Sequence, residues 1–188
     1  RCINRAGFLF MLDATRFISF EGIDFSGKST QIQLLRNKLE QIGKKVTVLR
    51  EPGGTLISER IRDILLDARN KNLNDICELL LYSAARNQLV TEVIQRELTA
   101  GNFILADRYV DSTTAYQGYG RQLPLDFIRT LNALVTGGTM PRITFLLDLD
   151  LKQQSYRKKI RGQNSDRLEK ENLDFYNRIS SGYRKIAS

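Results

Sequence analysis

"EGIDFSGKST" (residues 21–30) follows directly on the strand-like "RFISF" (residues 16–20), and it sets two glycines five apart ahead of a lysine and two hydroxyls. Gly22-Ile23-Asp24-Phe25-Ser26-Gly27-Lys28-Ser29 satisfies G-x-x-x-x-G-K-[ST] in full. The context fits as well. A strand precedes the motif, and after Lys28 the apolar residues Ile32, Leu35, Leu39 and Ile42 recur at helical spacing until Gly43 stops the helix. The glycines let the backbone curl so that successive N–H groups point at phosphate oxygens, and the helix N-terminus adds partial positive charge. Lys28 then reaches the β and γ phosphates, and Ser29 ligates Mg²⁺. The stretch from Gly22 to Thr30 therefore reads as a nucleoside triphosphate site, with Mg²⁺ as cofactor.

Composition limits what else the chain can be. A length of 188 residues suits one well-buried domain and is short for two. Hydrophobic residues at 41% with 27% charged describe a soluble globular protein, and no apolar run reaches the roughly 20 residues of a membrane helix. The net charge of +8 raises nucleic acid as a partner, but from Asp150 to Ser188 ten Lys or Arg stand against five acids, so most of the excess is local. There is no histidine, which excludes a Ser-His-Asp triad and the common zinc sites. Cys2 and Cys77 lie far apart with no CxxC spacing, as in a reducing cytosol; Cys77, in "DICELLLYSA", reads as a buried small residue. Residues 1–15 read as an N-terminal extension or cloning remnant. Met11 is a natural start, and "AGFLFML" lacks the cleavage site of a signal peptide.

Four short β-rich segments stand out: "FISF" (17–20), "KVTVL" (45–49), "FILA" (103–106) and "ITFLLDL" (143–149). Helical patterns fill the gaps, in "LISERIRDILL", over residues 76–99, and in "LDFIRTLNALV" before "TGG". Strands alternating with helices predict an α/β fold with a parallel sheet covered on both faces, one domain over residues 16–188.

The second substrate must be sought at the carboxyl ends of the other strands, where open α/β sheets bind ligands. "REPGGT" (50–55) follows the second strand; a bare turn needs the Pro-Gly-Gly but has no need of Arg50 and Glu51 beside it. "DRYVDSTTAYQGYGR" (107–121) follows the third strand and crowds acids, arginines, hydroxyls and tyrosines together. "YSAARNQ" (82–88) sets Tyr82 and Arg86 four apart, an aromatic beside a cation on one helical face.

"FEGIDFSGKSTQ", "REPGGT", "LLLYSAARNQ", "DRYVDSTTAYQGYGR" and "RGQNSDRLEKENLDFYNRISSGY", in this order and spacing over residues 16–188, resemble the thymidylate kinase family, bacterial type. The resemblance implies a P-loop NTPase fold: a three-layer α/β/α sandwich whose parallel sheet has five strands, the last falling beyond the end of this sequence. It implies ATP-dependent phosphorylation of dTMP to dTDP in a cytoplasmic homodimer, without nucleic acid or membrane partners. By the same resemblance Arg50 and Arg86 hold the dTMP phosphate, with Glu51, Pro52 and Ser112 in the same acceptor site, and Tyr82 stacks on thymine. Thr113 contacts the base edge, and Tyr116, beside Gln117, crowds the 2′ position. Asp24 orients the two phosphates, Asp107 binds Mg²⁺ through water, and Arg108 bridges the transferring group. A basic lid, residues 155–168, closes over ATP. Members without a basic residue in the phosphate loop place a catalytic arginine there, and Phe25 occupies that loop position here, so Arg157, Arg161 or Arg167 must serve.

The chemistry agrees independently. A phosphate monoester has its second pKa near about 6, so the acceptor is already a nucleophile at neutral pH and needs no general base. Two rivals stand beside this reading. A deoxynucleoside kinase would need a carboxylate base, for which Glu51 is placed, but would have no use for Arg86. A nucleic-acid-binding NTPase would need a distributed basic groove with stacking aromatics.

Overall fold

The computed structural model describes residues 14–162 and 166–188, and of Arg161 the backbone alone. The readings made for residues 1–13, with Cys2 and Met11, and for 163–165 of the lid lie outside the described residues. After a 3₁₀ turn at Ala14–Arg16 the elements run β1 (Phe17–Glu21), α1 (Lys28–Gln41), β2 (Val46–Arg50), α2 (Leu56–Leu66), α3 (Asp75–Leu89), α4 (Gln95–Thr99), β3 (Phe103–Asp107), α5 (Val110–Thr113), α6 (Leu125–Thr136), β4 (Ile143–Leu146), α7 (Leu151–Arg161) and α8 (Leu173–Ala187). π-Helical turns at Val90–Ile94 and Thr114–Gly120 join α3 to α4 and extend α5.

The described strands form one parallel sheet in the order β2-β3-β1-β4. The central strands β1 and β3 are covered on both faces, as expected of a parallel sheet, whereas β4 at the sheet edge leaves Ile143 and Phe145 exposed, against the expectation of a sheet covered throughout. Phe20 of β1 and Leu105 of β3 pack under Ile32 of α1. On the other face Phe17, Ile104 and Ala106 pack against Leu89, Ile94 and Leu98 of the α3–α4 rod. A third cluster joins Ala115 and Tyr116 to Phe175, Ile179 and Tyr183 of α8.

Caps fix several helix starts: Thr55, Asn74, Asp150 and Asn172 each accept a backbone N–H through the side chain. Gly137, at φ 56°, ends α6 in the left-handed conformation that glycine adopts most cheaply.

Two further expectations need correction. The run "ITFLLDL" is strand only over Ile143–Leu146. Its neighbour β1 ends at Glu21, and past the Leu147 N–H to Glu21 C=O bond there is no ladder left to pair with. Cys77 is exposed, because it lies on the outward face of α3 beside Ile76, itself 51% exposed.

Candidate active site

Three strand ends converge on a cleft of about 320 Å³. β1 runs into the phosphate loop, where Gly22 takes φ 131° and a Cβ would stand 2.5 Å from the Leu147 carbonyl oxygen, so only glycine fits. Lys28 is 6% exposed; its Nζ donates to the Gly22 and Ile23 carbonyls at 3.0 and 2.9 Å. Burial, with Arg108 adding, pushes its ammonium down to about 8. Ser29 Oγ donates to Asp107 Oδ2 at 2.8 Å, so the two residues expected around Mg²⁺ meet at the cleft rim.

Arg108, at φ 76°, opens the segment after β3. Its Nη2 donates to Asp24 Oδ1 at 2.6 Å and to the Tyr116 hydroxyl at 3.3 Å, and its Nη1 donates to Ser112 Oγ and the Tyr183 hydroxyl. Burial pushes the Asp24 carboxyl up, but Arg108 and Lys28 more than offset it and hold the group below its usual range.

Beneath this array lies Glu21, 1% exposed, which accepts from Tyr109 N–H at 2.7 Å, from Ser112 Oγ at 2.6 Å and from the Tyr183 hydroxyl at 3.1 Å. The Ser112 hydroxyl, expected to meet dTMP, is thus committed to Glu21. Burial, with Asp111 adding, pushes the Glu21 carboxyl from 4.5 up to about 7. A raised folded-state pKa means that the folded protein binds the extra proton between these values. Its stabilising contribution is complete below about 4.5 and lost as pH rises through about 7, a swing of about 3 kcal/mol. Glu21→Gln, neutral throughout, should flatten that part of the stability profile. Denaturation midpoints at pH 5 and pH 8 that fall in parallel for both proteins would mean that Glu21 ionises as an ordinary carboxyl.

Every residue expected in the acceptor site lines this cleft: Arg50, Glu51, Pro52, Tyr82, Arg86, Ser112, Thr113, Tyr116 and Gln117. Arg86 is engaged differently from a phosphate clamp. Its Nε donates to Glu51 Oε2 at 2.7 Å, Nη1 to Thr113 Oγ1 and Asn132 Oδ1, and Nη2 to the Tyr109 carbonyl while lying 2.6 Å from the same Glu51 oxygen. At 2% exposure its donors are spent on the protein, and a phosphate would have to displace one of these partners. Glu51 Oε1, by contrast, is buried without a partner among the described residues.

Among the described residues Arg50 is bound through its Nη2 to Glu59, an exposed pair that is cheaply exchanged. Beside it stands Arg62, absent from the sequence reading, whose Nη1 donates to the Pro52 carbonyl. Burial and the neighbouring Arg50 push the Arg62 guanidinium down, and the Glu59 carboxylate beside both cations offsets only part of that. Leu66, Asp166, Leu168 and Glu169 also line the cleft and escaped notice. The alternating charges of "SDRLEK" were the available signal for the last three.

Among the lid arginines, Arg157 Nη1 donates to the Phe25 carbonyl at 2.9 Å, so α7 already touches the phosphate loop. Arg167 is 9% exposed, donates Nε to the Leu65 carbonyl and stands 2.6 Å from Glu78 as an ion pair, without hydrogen-bond alignment of its Nη2. The Arg161 side chain lies outside the described residues.

The family model described as thymidylate kinase matches residues 20–188. The chain belongs to the thymidylate kinase family. It is 47% identical over 177 residues to the thymidylate kinase of Chlorobium luteolum, covering 90% of this chain and 82% of that one. Against the thymidylate kinase of Thermosipho africanus the identity is 48% over 171 residues, covering 91% and 84%. The crystal structure of thymidylate kinase from Ehrlichia chaffeensis superposes with a TM-score of 0.74 at 36% identity, covering 92% of this chain and 82% of that chain. The P-loop architecture read from "GIDFSGKS" is therefore that of the thymidylate kinases.

Proposed function

We propose that this chain transfers the γ-phosphoryl group of ATP to dTMP, giving dTDP and ADP, by direct in-line displacement. The observation that carries this reading is the meeting, in one cleft, of a phosphate loop with Lys28 and further cationic lining from Arg50, Arg62 and Arg108. Two polyanions brought face to face need such further cations. A site that held only a triphosphate would not.

The acceptor phosphate is a dianion for the most part at neutral pH, so catalysis reduces to positioning and cancellation of repulsion. Lys28 serves the donor phosphates. Arg50 and Arg62 receive the acceptor phosphate, the role that Arg86 is too fully engaged to fill. Arg108, held by Asp24, meets the transferring group, and Tyr82 offers its ring to the base. Ser29 and Asp107 are hard oxygen donors side by side, which fits Mg²⁺ held mainly by phosphates and water. That ion supplies charge neutralisation across the transferred group.

An ADP-release assay with dTMP, thymidine, UMP and single-stranded DNA as stimulants tests the reading. Stimulation by dTMP well above the others supports it; stimulation by thymidine or DNA instead overturns it. Arg62→Ala should raise KM for dTMP about ten- to a hundredfold, since a charged hydrogen bond is worth about 1.5–3 kcal/mol. KM for ATP should stay put, and an unchanged KM for dTMP would remove Arg62 from the phosphate site.

The reading includes a cytoplasmic homodimer. α3 packs between α2 and α6, and these helices expose Ile57, Ile64, Ile76, Leu80, Phe127 and Leu134. Apolar stripes on three adjacent helices favour a second copy as their cover, and sedimentation at micromolar concentration would reveal a monomer if they do not. No helix among the described residues is long and apolar enough to cross a membrane.

A further inference from the structure

Glu78 is 0% exposed and lies on α3 one turn before Tyr82 and two before Arg86, so the three share one helical face. It stands at the meeting point of three segments distant in sequence. Its Oε1 accepts from Gln117 Nε2 at 2.7 Å and from Arg121 Nε at 3.2 Å; its Oε2 accepts from Arg121 Nη2 at 3.0 Å and faces Arg167 Nη2 at 2.6 Å. Burial pushes this carboxyl up, but the bonds from Arg121 and Gln117 and the charge of Arg167 hold it below its usual range. Glu78 is therefore an ionised carboxylate in the wall behind the acceptor site.

An ionised carboxylate accepts hydrogen bonds and donates none. The two ends of a glutamine amide are alike in shape, so the partner decides which end faces where. Facing Glu78, Gln117 must present its NH₂. Gln117 is 2% exposed and lines the cleft, and the end left for a ligand is the carbonyl oxygen, a pure acceptor. The same logic applies next to it. Thr113 Oγ1 accepts from Arg86 Nη1 at 2.7 Å, which leaves its O–H free to donate.

We propose that Glu78 is a positioning residue for base selection: by holding the Gln117 amide nitrogen it obliges that side chain to offer an acceptor, and so favours a pyrimidine carrying N3–H over cytosine. This rests on the thymidylate kinase reading. Thymine presents N3–H flanked by carbonyl oxygens, which an acceptor beside a hydroxyl donor matches. Cytosine presents an unprotonated N3, and acceptor would meet acceptor in a buried site with no water to relieve them. Rejection built from such an unpaired polar contact is stronger than rejection by shape.

The test compares kcat/KM for dTMP and dCMP in the full chain, in Glu78→Gln and in Gln117→Met. In Glu78→Gln the arginines claim the oxygen of the substituted amide, its NH₂ turns to Gln117, and the Gln117 amide reverses. The preference for dTMP over dCMP should narrow by about tenfold or more, chiefly through KM. A ratio of two substrates on one enzyme preparation is independent of the fraction folded, so a purely structural role for Glu78 would lower both activities and leave the ratio intact. Gln117→Met leaves the Glu78–Arg121 pair in place and should narrow the ratio by a similar factor, and the double variant should add nothing further. An unchanged ratio in a measurable Glu78→Gln overturns the proposal. If that variant yields no active enzyme, an unchanged ratio in Gln117→Met overturns it in its place. Failure of the unaltered chain to turn over dTMP at all overturns the functional reading and this proposal with it, an outcome separable from the others because it needs no variant.

Discussion

Lys28→Ala should reduce dTMP phosphorylation by about 10³-fold or more while dTMP binding, read by calorimetry, stays within about twofold. The lysine is preplaced. Its Nζ rests on the Gly22 and Ile23 carbonyls, and burial with the nearby Arg108 pushes its pKa to about 8, so an ammonium is held in a site with little water around it. A cation in that state gains more from an incoming triphosphate than a hydrated one does, because its desolvation has been met by folding. Alanine removes the charge at the donor phosphates but touches neither Arg50, held on Glu59, nor Arg62, held on the Pro52 carbonyl. Should dTMP affinity collapse together with turnover, Lys28 would instead be holding the loop in shape through its two carbonyl contacts.

The difference between what composition and spacing revealed and what they hid follows from how far each signal reaches along the chain. The phosphate loop was legible because its requirement is local: glycine conformations, one cation and one hydroxyl within eight residues, between a strand and a helix. Arg50, Asp107 and Arg108 were legible because each ends a strand, and the ends of parallel strands share one edge of the sheet. Glu21 and Glu78 left only a faint mark, a single charge in the apolar runs "FISFE" and "ICELLLY". A buried charge demands partners, yet nothing local says which. The partners of Glu21 are Tyr109, Ser112 and Tyr183, and those of Glu78 are Gln117, Arg121 and Arg167.

Arg86 illustrates a second limit. A cation four residues from an aromatic, beside an expected phosphate site, is naturally assigned to the phosphate. The fold supplies it instead with Glu51, Thr113, Asn132 and the Tyr109 carbonyl. Its hydrogen bonds, counted against its donors, are the reason for proposing Arg50 and Arg62 at the acceptor phosphate in its place.

Arg157→Met should lower the maximal rate by about 10³-fold at saturating ATP and dTMP while moving KM for dTMP by no more than about twofold. The phosphate loop carries Phe25, whose side chain brings no cation to a phosphoryl oxygen, so the charge developing in transfer has to be met from elsewhere. Arg167 is held away from the loop: it is buried, paired in charge with Glu78 and bonded through Nε to the Leu65 carbonyl, and freeing it would cost Glu78 one of its two counter-ions. Arg157 is exposed at the other end of α7's reach, with Nη1 on the Phe25 carbonyl. That carbonyl belongs to a residue at φ 66°, a conformation costing a side-chain-bearing residue about 1 kcal/mol, so the loop bends at that point against its local preference. A single hydrogen bond to an exposed carbonyl is weak, and a triphosphate oxygen arriving nearby is a stronger acceptor. The guanidinium therefore has a short move from a neutral oxygen to an anionic one. Methionine keeps the apolar stem of the side chain and removes the guanidinium with its charge and donors, so the effect should appear in kcat and not in acceptor binding. Arg167→Met, run in parallel, should act through Glu78 and lower thermal stability. A near-normal rate for Arg157→Met would pass the role to Arg161, and near-normal rates for single variants at Arg157, Arg161 and Arg167 alike would reduce the basic lid to a solvated face.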